Sequence, residues 1–335
     1  MTAAPAELNP NKVLLGAQAG MVRMPVCDHY SGVEARMRKT LELQEELTQE
    51  FGTCVFDATL DCEDGAPVGG ELDHAVLVSE LAASASARAR VAVRVHAVDH
   101  PSFHLDVATI VPKAGHRLAH IMLPKVESPA DVDAAVMAID QAGGRHVPLH
   151  ALIESPHAVH HAFDIAAHPR IASLSFGVMD FVSAHGGAIP ASAMGIQGQF
   201  QHPLVLRAKL EIASACHAHG KVPSHCVVPE LNDLAAFSQA AHKASAELGY
   251  ARMWSIHPSQ IRPILQAMSP SQADIEAAVE IIEAGLQAQW APIRHSGQLH
   301  DRASYRYFWQ VLQRAHATGQ HLPPSLSVYM SSSSS

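Results

Sequence analysis

Short runs of β-forming residues recur along this chain with helical, alanine-rich stretches between them, and that alternation dictates a parallel sheet made of repeated βα units. Eight runs stand out: Val13–Gly16, Cys54–Leu60, Val91–Val95, His120–Pro124, Pro148–Ile153, Ala172–Val178, Val222–Val227 and Arg252–Ile256. Stretches such as Pro129–Gln141, His157–Ala167, Leu204–His219 and Leu231–Leu248 carry apolar residues at spacings of three and four, the helical period. Eight units predict an α/β fold of the closed (β/α)8 TIM-barrel kind over an open doubly wound sheet. No Gly-x-Gly-x-x-Gly follows the first run and no Gly-x-x-x-x-Gly-Lys-Ser/Thr occurs, so dinucleotide and P-loop folds gain no support. The barrel is expected over residues 1–265. A C-terminal helical extension follows over 266–322, with helices at Pro270–Gln289 and around Ser304–Thr318 flanking a loop, Ala291–Arg302. Residues 323–335, which end in five serines, read as a disordered tail.

Composition narrows the partners. Apolar residues at 48% and charged residues at 16% suit a large buried core. A net charge of −9 without a Lys/Arg cluster argues against nucleic acid and anionic membranes, which need a basic face. No apolar run approaches the roughly 20 residues of a membrane span, and the first residues lack an export pattern, so a cytoplasmic protein acting on small molecules is expected. The five cysteines follow no framework spacing, which predicts free thiols. The 24 histidines are spread along the whole chain, and those such as His116, His120, His160 and His161 read as ordinary surface positions.

In barrels of this kind the reacting groups lie at the C-terminal ends of the strands. Strand two ends in Asp61-Cys-Glu63-Asp64, strand three carries Arg94, strand four ends in Lys125-Val-Glu127, strand five in Glu154 and strand six in Asp180. Glu154 and Asp180 close adjacent apolar runs and face one mouth, where two like charges need a cation or a proton. Oxygen ligands favour a hard divalent ion, Mg²⁺ above all; each carboxylate alone would pass as a helix cap. Arg94, inside Val-Ala-Val-Arg-Val, is expected to project into the site and fork onto a carboxylate, or to pair with Glu63 or Asp64, or both. Lys125 and Glu127 read first as a salt bridge across strand ends and second as substrate contacts. Cys216, His217, His219, His225 and Cys226 match no zinc spacing, and Pro101 interrupts the series His96, His100, His104.

Leu60-Asp-Cys-Glu-Asp64, Val93-Arg-Val95, Leu123-Pro-Lys-Val-Glu-Ser128, Ala151-Leu-Ile-Glu-Ser155, Phe176-Gly-Val-Met-Asp180 and Ser255-Ile-His-Pro-Ser-Gln260 occur in an order that resembles the citrate lyase β-subunit and malyl-CoA lyase group of the HpcH/HpaI aldolase superfamily. The resemblance covers about residues 50–320. It implies a trimeric barrel with Mg²⁺ at Glu154 and Asp180 and the substrate carboxylate at Arg94. It also implies that Asp301, within His295-Ser-Gly-Gln-Leu-His-Asp301-Arg, reaches a neighbouring subunit's site as acid/base. The implied reaction cleaves or forms a 3-hydroxyacyl-CoA thioester of the citryl-, malyl- or citramalyl-CoA kind, with Glu63 and Asp64 supporting Arg94. Two alternatives stand beside it: a metal-dependent aldolase acting on free hydroxy-oxo acids, and a non-catalytic acid-binding subunit. Two segments depart from the family pattern. Gly16–Pro25 stands where a Val-Pro-Gly-Asp-Arg-Pro-like turn helps hold coenzyme A, and Ser224-His225 stands where Ile-Asp is common.

Overall fold

The computed structural model describes residues 8–16 and 24–330. Eight parallel strands close into a barrel in chain order: β1 (Cys27–Ser31), β2 (Phe56–Asp61), β3 (Val91–Arg94), β4 (Leu118–Leu123), β5 (Leu149–Ile153), β6 (Ile171–Phe176), β7 (Val222–His225) and β8 (Arg252–Ser255), with β8 returning to pair with β1. The barrel lies in one compact unit, Met24–Met268; the second unit draws on the two ends of the chain, Met1–Arg23 and Ser269–Ser335.

Seven of the eight expected runs fall on strands, and the first does not. Val13–Gly16 belongs to the helix Pro10–Leu15, which Asn9 caps by accepting from the Asn11 amide and which has Pro10 at its first position. The first strand is instead Cys-Asp-His-Tyr-Ser, whose polar Asp28 and His29 are buried. The segment that follows β1 is therefore Gly32-Val33, and Gly16–Pro25, most of it outside the described residues, precedes the strand. Gly32 is needed there: a Cβ on it would fall 2.1 Å from the Gly65 carbonyl carbon, so only glycine lets the β1 and β2 loops approach this closely.

The helices follow their sequence signals. Pro129–Gln141 begins at a reciprocal Ser128/Asp131 capping box with Pro129 at its first position. The expected His157–Ala167 helix is broken at His161 into Pro156–His160 and Ala162–Ala167. In the second unit, Gln272–Gln287 and Arg302–Ala317 pack with Leu14 and Leu15 around Trp290, Tyr305, Trp309 and Leu312. The expected loop between those helices holds a hairpin, β9 (Ile293–His295) with β10 (Gln298–His300), turned by Ser296 and Gly297 at φ of 48° and 81°. Residues 323–330, expected with the serine run to be disordered, include the helical turn Pro324–Ser327 and bury Leu326, Tyr329 and Met330; Ser331–Ser335 lies outside the described residues.

Inside the barrel, toward the N-terminal halves of the strands, the core is charged rather than apolar. The Nη2 atom of Arg252 lies 2.7 Å from an oxygen of Asp28 and 2.7 Å from one of Asp57, and Arg90 Nε donates to Asp57 at 2.6 Å. Burial works against both carboxylate charges, yet Arg252, together with His120 at Asp28 and Arg90 at Asp57, holds the two carboxyls below the usual range. His120, expected on the surface, is 1% exposed and stacks on buried His150 at a centroid distance of 3.5 Å. Replacing Arg252 with methionine removes the guanidinium but leaves two buried acids, so a loss of about 3–5 kcal/mol is expected. Equilibrium urea unfolding, read as a lower midpoint at unchanged slope, checks it.

Candidate active site

The residues expected to carry chemistry meet at the C-terminal ends of β2 to β6. Arg94 closes β3 in register with Asp61 of β2, so the two side chains point the same way across the pair. Arg94 donates from Nε to Asp61 Oδ1 at 2.7 Å and from Nη2 to Asp61 Oδ2 at 2.5 Å, and its Nη1 lies 3.1 Å from Glu63 Oε2. Both expected partners, Glu63 and Asp64, are thus outranked by Asp61, which sequence reasoning passed over. The signal was present: Asp57, Thr59 and Asp61 alternate along β2, and Asp61 shares the inward parity of a buried polar series.

Asp61 also orders the loop beyond it, accepting from the amides of Glu63 (3.0 Å) and Gly65 (2.8 Å). A Cβ on Gly65 would meet Asp61 Oδ2 at 2.2 Å. Glu63, held by Arg94, reaches Lys125 Nζ at 2.5 Å, and Asp64 lies 3.5 Å from the same ammonium. Part burial opposes the charge on Lys125, but the hydrogen bond and charge of Glu63 win, and its pKa rises. Lys125 therefore pairs across strand ends with the acids of β2. Glu127 does not join it: its carboxylate accepts from Ser155 Oγ at 2.5 Å, and Ser155 caps the helix after β5.

Glu154 is 6% exposed and accepts from the backbone N–H of Lys125 at 2.7 Å. Lys125 has a φ of 53°, a left-handed conformation that a long side chain adopts at a cost. Gly177, which precedes the short helix Val178–Ser183 bearing Asp180, leaves room for the same carboxylate; a Cβ there would fall 2.3 Å from Glu154 Oε1. Burial first, and the charge of Asp180 second, push the Glu154 pKa up to about 8 against the opposing pull of Arg94. This is a carboxylate short of positive charge, next to another carboxylate, in the open half of the barrel. Beneath it Met122, Leu152 and Trp254 form an apolar floor with Tyr30. The Arg94 guanidinium carbon lies 5.2 Å from the Tyr30 ring centre and 5.8 Å from that of Trp254.

A second cluster invites comparison. Among the described residues, Asp28, His120 and His150 bring potential ligand atoms within 4.8 Å of one another. The Asp28 carboxylate already has the Arg252 guanidinium at 2.7 Å, and the two imidazoles are stacked at an interplanar angle of 11°, so their in-plane lone pairs run side by side and do not converge. That cluster is part of the charged core, whereas among the described residues no salt bridge joins Glu154 or Asp180, which feel Arg94 and Lys125 only at longer range. The discounted zinc candidates Cys216, His217, His219, His225 and Cys226 form no such group among the described residues, and all five cysteines are free. His96 is tied to Asp106 at 2.7 Å and stacks on His100.

A sequence model of the HpcH/HpaI aldolase/citrate lyase family matches residues 43–258. The chain belongs to that family. It is a carbon–carbon lyase. L-malyl-CoA/beta-methylmalyl-CoA lyase of Cereibacter sphaeroides is 31% identical over 279 residues, which cover 76% of this chain and 86% of that one. A crystal structure of a citrate lyase from Burkholderia xenovorans is 48% identical and superposes with a TM-score of 0.78 over 92% of this chain and 97% of the other. CitE from Mycobacterium tuberculosis, solved with magnesium, acetoacetate and coenzyme A, shares the fold at 20% identity and a TM-score of 0.63, covering 87% of this chain and 98% of that one.

The order of motifs has a spatial meaning: the segments ending at Asp64, Val95, Ser128, Ser155, Asp180 and Gln260 all lie at or just past the C-terminal ends of β2, β3, β4, β5, β6 and β8. Asp301 belongs to the second compact unit. There it caps the helix Arg302–Ala317, accepting from the amides of Ala303 and Ser304, with its side chain exposed. No helix among the described residues is long and apolar enough to cross a membrane.

The Glu154 environment has a thermodynamic signature. The folded metal-free protein keeps the Glu154 proton up to about pH 8, whereas in the unfolded chain the group titrates near its ordinary 4.5. Between those values the native state binds the extra proton, so the contribution of Glu154 to stability is present below about pH 4.5 and is lost as pH rises toward 8. Melting the metal-free protein and its Glu154→Gln variant across this window should show a steeper decline in the parent.

Proposed function

We propose that this chain is a Mg²⁺-dependent lyase that cleaves or forms a 3-hydroxyacyl-CoA thioester of the malyl-, citramalyl- or citryl-CoA class, giving a 2-oxo acid and an acyl-CoA. The observation that carries the reading is the uncompensated pair Glu154 and Asp180 beside a guanidinium whose outer edge is partly free. Glu154 and Asp180 would hold the ion, as oxygen ligands on a hard cation; when bound it supplies a Lewis acid for a carbonyl oxygen. The named activities of the Cereibacter and Burkholderia proteins support the same reading.

The chain's own groups divide the rest of the work. Arg94 has five N–H donors, of which Nε and one on Nη2 are given to Asp61. The remaining N–H groups, with Nη1 3.1 Å from Glu63 Oε2, would meet the substrate carboxylate and charge that grows on oxygen during bond cleavage. Asp61 and Glu63 hold that guanidinium in place, and Lys125 holds Glu63. As the bond breaks, the hydroxyl of the thioester passes its proton to Asp301 of a neighbouring subunit and becomes the oxo group, and the bonding electron pair passes to the carbon next to the thioester carbonyl. Asp301 of a neighbouring subunit is the proposed donor of a proton to that carbon, which makes a homotrimer part of the reading. Glu127 holds the end of β4 to the helix after β5 and has no direct part.

The thioester also needs room. A cavity of about 500 Å³ beside the ends of β1 and β8 is lined by His29, Tyr30, Arg36, Lys39, Gly65 and His257 among others. Arg36 and Lys39 give it the positive charge that the phosphate groups of coenzyme A require. With β1 at Cys27–Ser31, these residues are the ones proposed to meet the coenzyme in place of the altered Gly16–Pro25 segment, and the free-acid aldolase stays the alternative that the assay below separates. A cytoplasmic location fits the free thiols and the coenzyme.

Two tests follow from the carboxylate pair. Glu154→Ala and Asp180→Ala should each lower kcat at least about a hundredfold with the fold intact by circular dichroism. The assay sets malyl-, citramalyl- and citryl-CoA beside free 4-hydroxy-2-oxo acids; turnover of the free acids alone would replace the thioester reading with the aldolase. Gly177→Ala should displace the Glu154 carboxylate and weaken Mg²⁺ binding by about 10–100-fold in calorimetric titration, as expected when the support of a ligand is disturbed.

A further inference from the structure

His29, on β1, lines the cavity beside the ends of β1 and β8 and has no part in the chemistry assigned above. It is 2% exposed, and burial brings its pKa down to about 4 over the opposing pull of Asp28, so the ring is neutral near pH 7. A neutral imidazole has one N–H and one lone pair, and its neighbours decide which nitrogen carries which. Ser255 of β8 stands in register with His29 and gives its one hydroxyl hydrogen to the His257 carbonyl at 2.9 Å. The Ser255 oxygen can then only accept, and it lies 3.0 Å from His29 Nδ1. Nδ1 is therefore the protonated nitrogen, and Nε2 bears the lone pair. Among the described residues no hydrogen bond reaches Nε2. Ser255 and the Phe56 ring, edge-on at a centroid distance of 6.2 Å, hold the imidazole in place.

A lone pair on a buried ring in an open cavity calls for a donor from the ligand. The cavity sorts its ligand by charge. Arg36 and Lys39 are exposed at its rim, whereas His29, Ser31 and Thr40 are buried, with the Ser31 and Thr40 hydroxyls 3.3 Å apart and bonded to each other. Phosphate groups suit the rim. At the depth of His29 an anion would be desolvated against the lone pair of a neutral ring. The part of the ligand that reaches this depth is therefore uncharged and carries an N–H or O–H. A 2-oxo acid is an anion without an N–H. The pantetheine arm of an acyl-CoA is uncharged, continues from the phosphates, and carries amide N–H groups.

We propose that His29 is a binding residue for the acyl-CoA half of the reaction: its Nε2 accepts an amide N–H of the pantetheine arm, and Ser255, fixed by the His257 carbonyl, sets the tautomer that makes this possible. This role rests on the thioester reading above and deepens it. It gives the site a means to prefer a pantetheine thioester over a simple alkyl thioester of the same acid, because the second leaves the His29 lone pair without its donor.

The test begins with NMR of the protein labelled with ¹⁵N-histidine. His29 should show the Nδ1–H tautomer, and pantetheine alone, at millimolar concentration, should move the Nε2 resonance and leave Nδ1 protonated. In calorimetric titration of CoA into Mg²⁺-saturated protein, His29→Leu should weaken binding about tenfold, the loss of one hydrogen bond to a buried acceptor. His29→Gln, which can place an amide oxygen at the Nε2 position, should recover most of it. Should His29→Leu melt early, the glutamine variant and the NMR of the parent decide. An Nε2–H tautomer, or an Nε2 resonance that ignores pantetheine and responds only to the whole coenzyme, would overturn the contact with the arm. CoA binding that Arg36→Ala and Lys39→Ala weaken but both His29 variants leave unchanged would overturn the role of His29 and leave the thioester reading intact. A parent protein that binds neither CoA nor pantetheine would overturn the thioester reading and the inference with it.

Discussion

The forked pair between Arg94 and Asp61 organises the mouth of this barrel. Asp61 is at once the last residue of its strand, the acceptor for two loop amides, and the anchor of a buried guanidinium. From it a chain of contacts runs across four strand ends: Arg94 orders Glu63, Glu63 orders the Lys125 side chain, and the Lys125 backbone N–H meets Glu154. Each link has its place fixed by the previous one, so the two chemically important groups, the outer edge of Arg94 and the Glu154 carboxylate, are held without direct contact between them. Glycines make this density possible: Gly32, Gly65 and Gly177 each stand where a Cβ would collide with backbone or with one of these carboxylates. Low side-chain freedom at such a centre is what preorganised electrostatics requires.

Much of the barrel was legible because its outward strand faces are apolar and its helices begin at ordinary caps. Runs such as Leu149–Ile153 pack Leu149, Ala151 and Ile153 against the helices, and that is the pattern periodicity detects. The first strand escaped for the same reason in reverse. Cys-Asp-His-Tyr-Ser turns Asp28 toward Arg252 inside the barrel, so it lacks the apolar signature, while Val13-Leu-Leu imitates a strand until the Asn9 cap and Pro10 are weighed. His120 was misplaced on similar grounds: composition treats a histidine as polar and external, but an interior lined by Asp28, Asp57 and Arg252 gives it a polar environment without solvent.

The candidate site was legible as a set and less so in its pairings. Strand-end position alone picked out Glu63, Asp64, Arg94, Lys125, Glu154 and Asp180, and these do meet at one end of the barrel. Choosing the partner of Arg94 needed register, which places Asp61 opposite it on β2 and cannot be read from one strand at a time. Lys125 and Glu127 share one strand parity, but the left-handed backbone at Lys125 breaks the alternation, and Glu127 turns to Ser155. The role proposed for Asp301 had no local signal at all, since a helix-capping aspartate and a proton donor to another subunit look alike in sequence.

The barrel contains two pairs of close acids, and comparing them shows how the fold assigns work. Asp28 and Asp57 share the Arg252 guanidinium, and their carboxyls stay ionised although fully buried. Glu154 and Asp180 lie at the other ends of the strands with no side-chain cation bonded to Glu154, and the Glu154 carboxyl is driven toward its protonated form. Burial opposes charge in both pairs, so burial alone does not separate them. The difference is whether the chain supplies its own counterion. Where it does, the result is a closed core at the strand N-termini, the end that carries stability in barrels of this kind; where it does not, the unmet charge is at the end that carries chemistry. An acid pair without a bonded side-chain cation at that end takes up either a proton or an external cation, which is the opening the proposed metal would use.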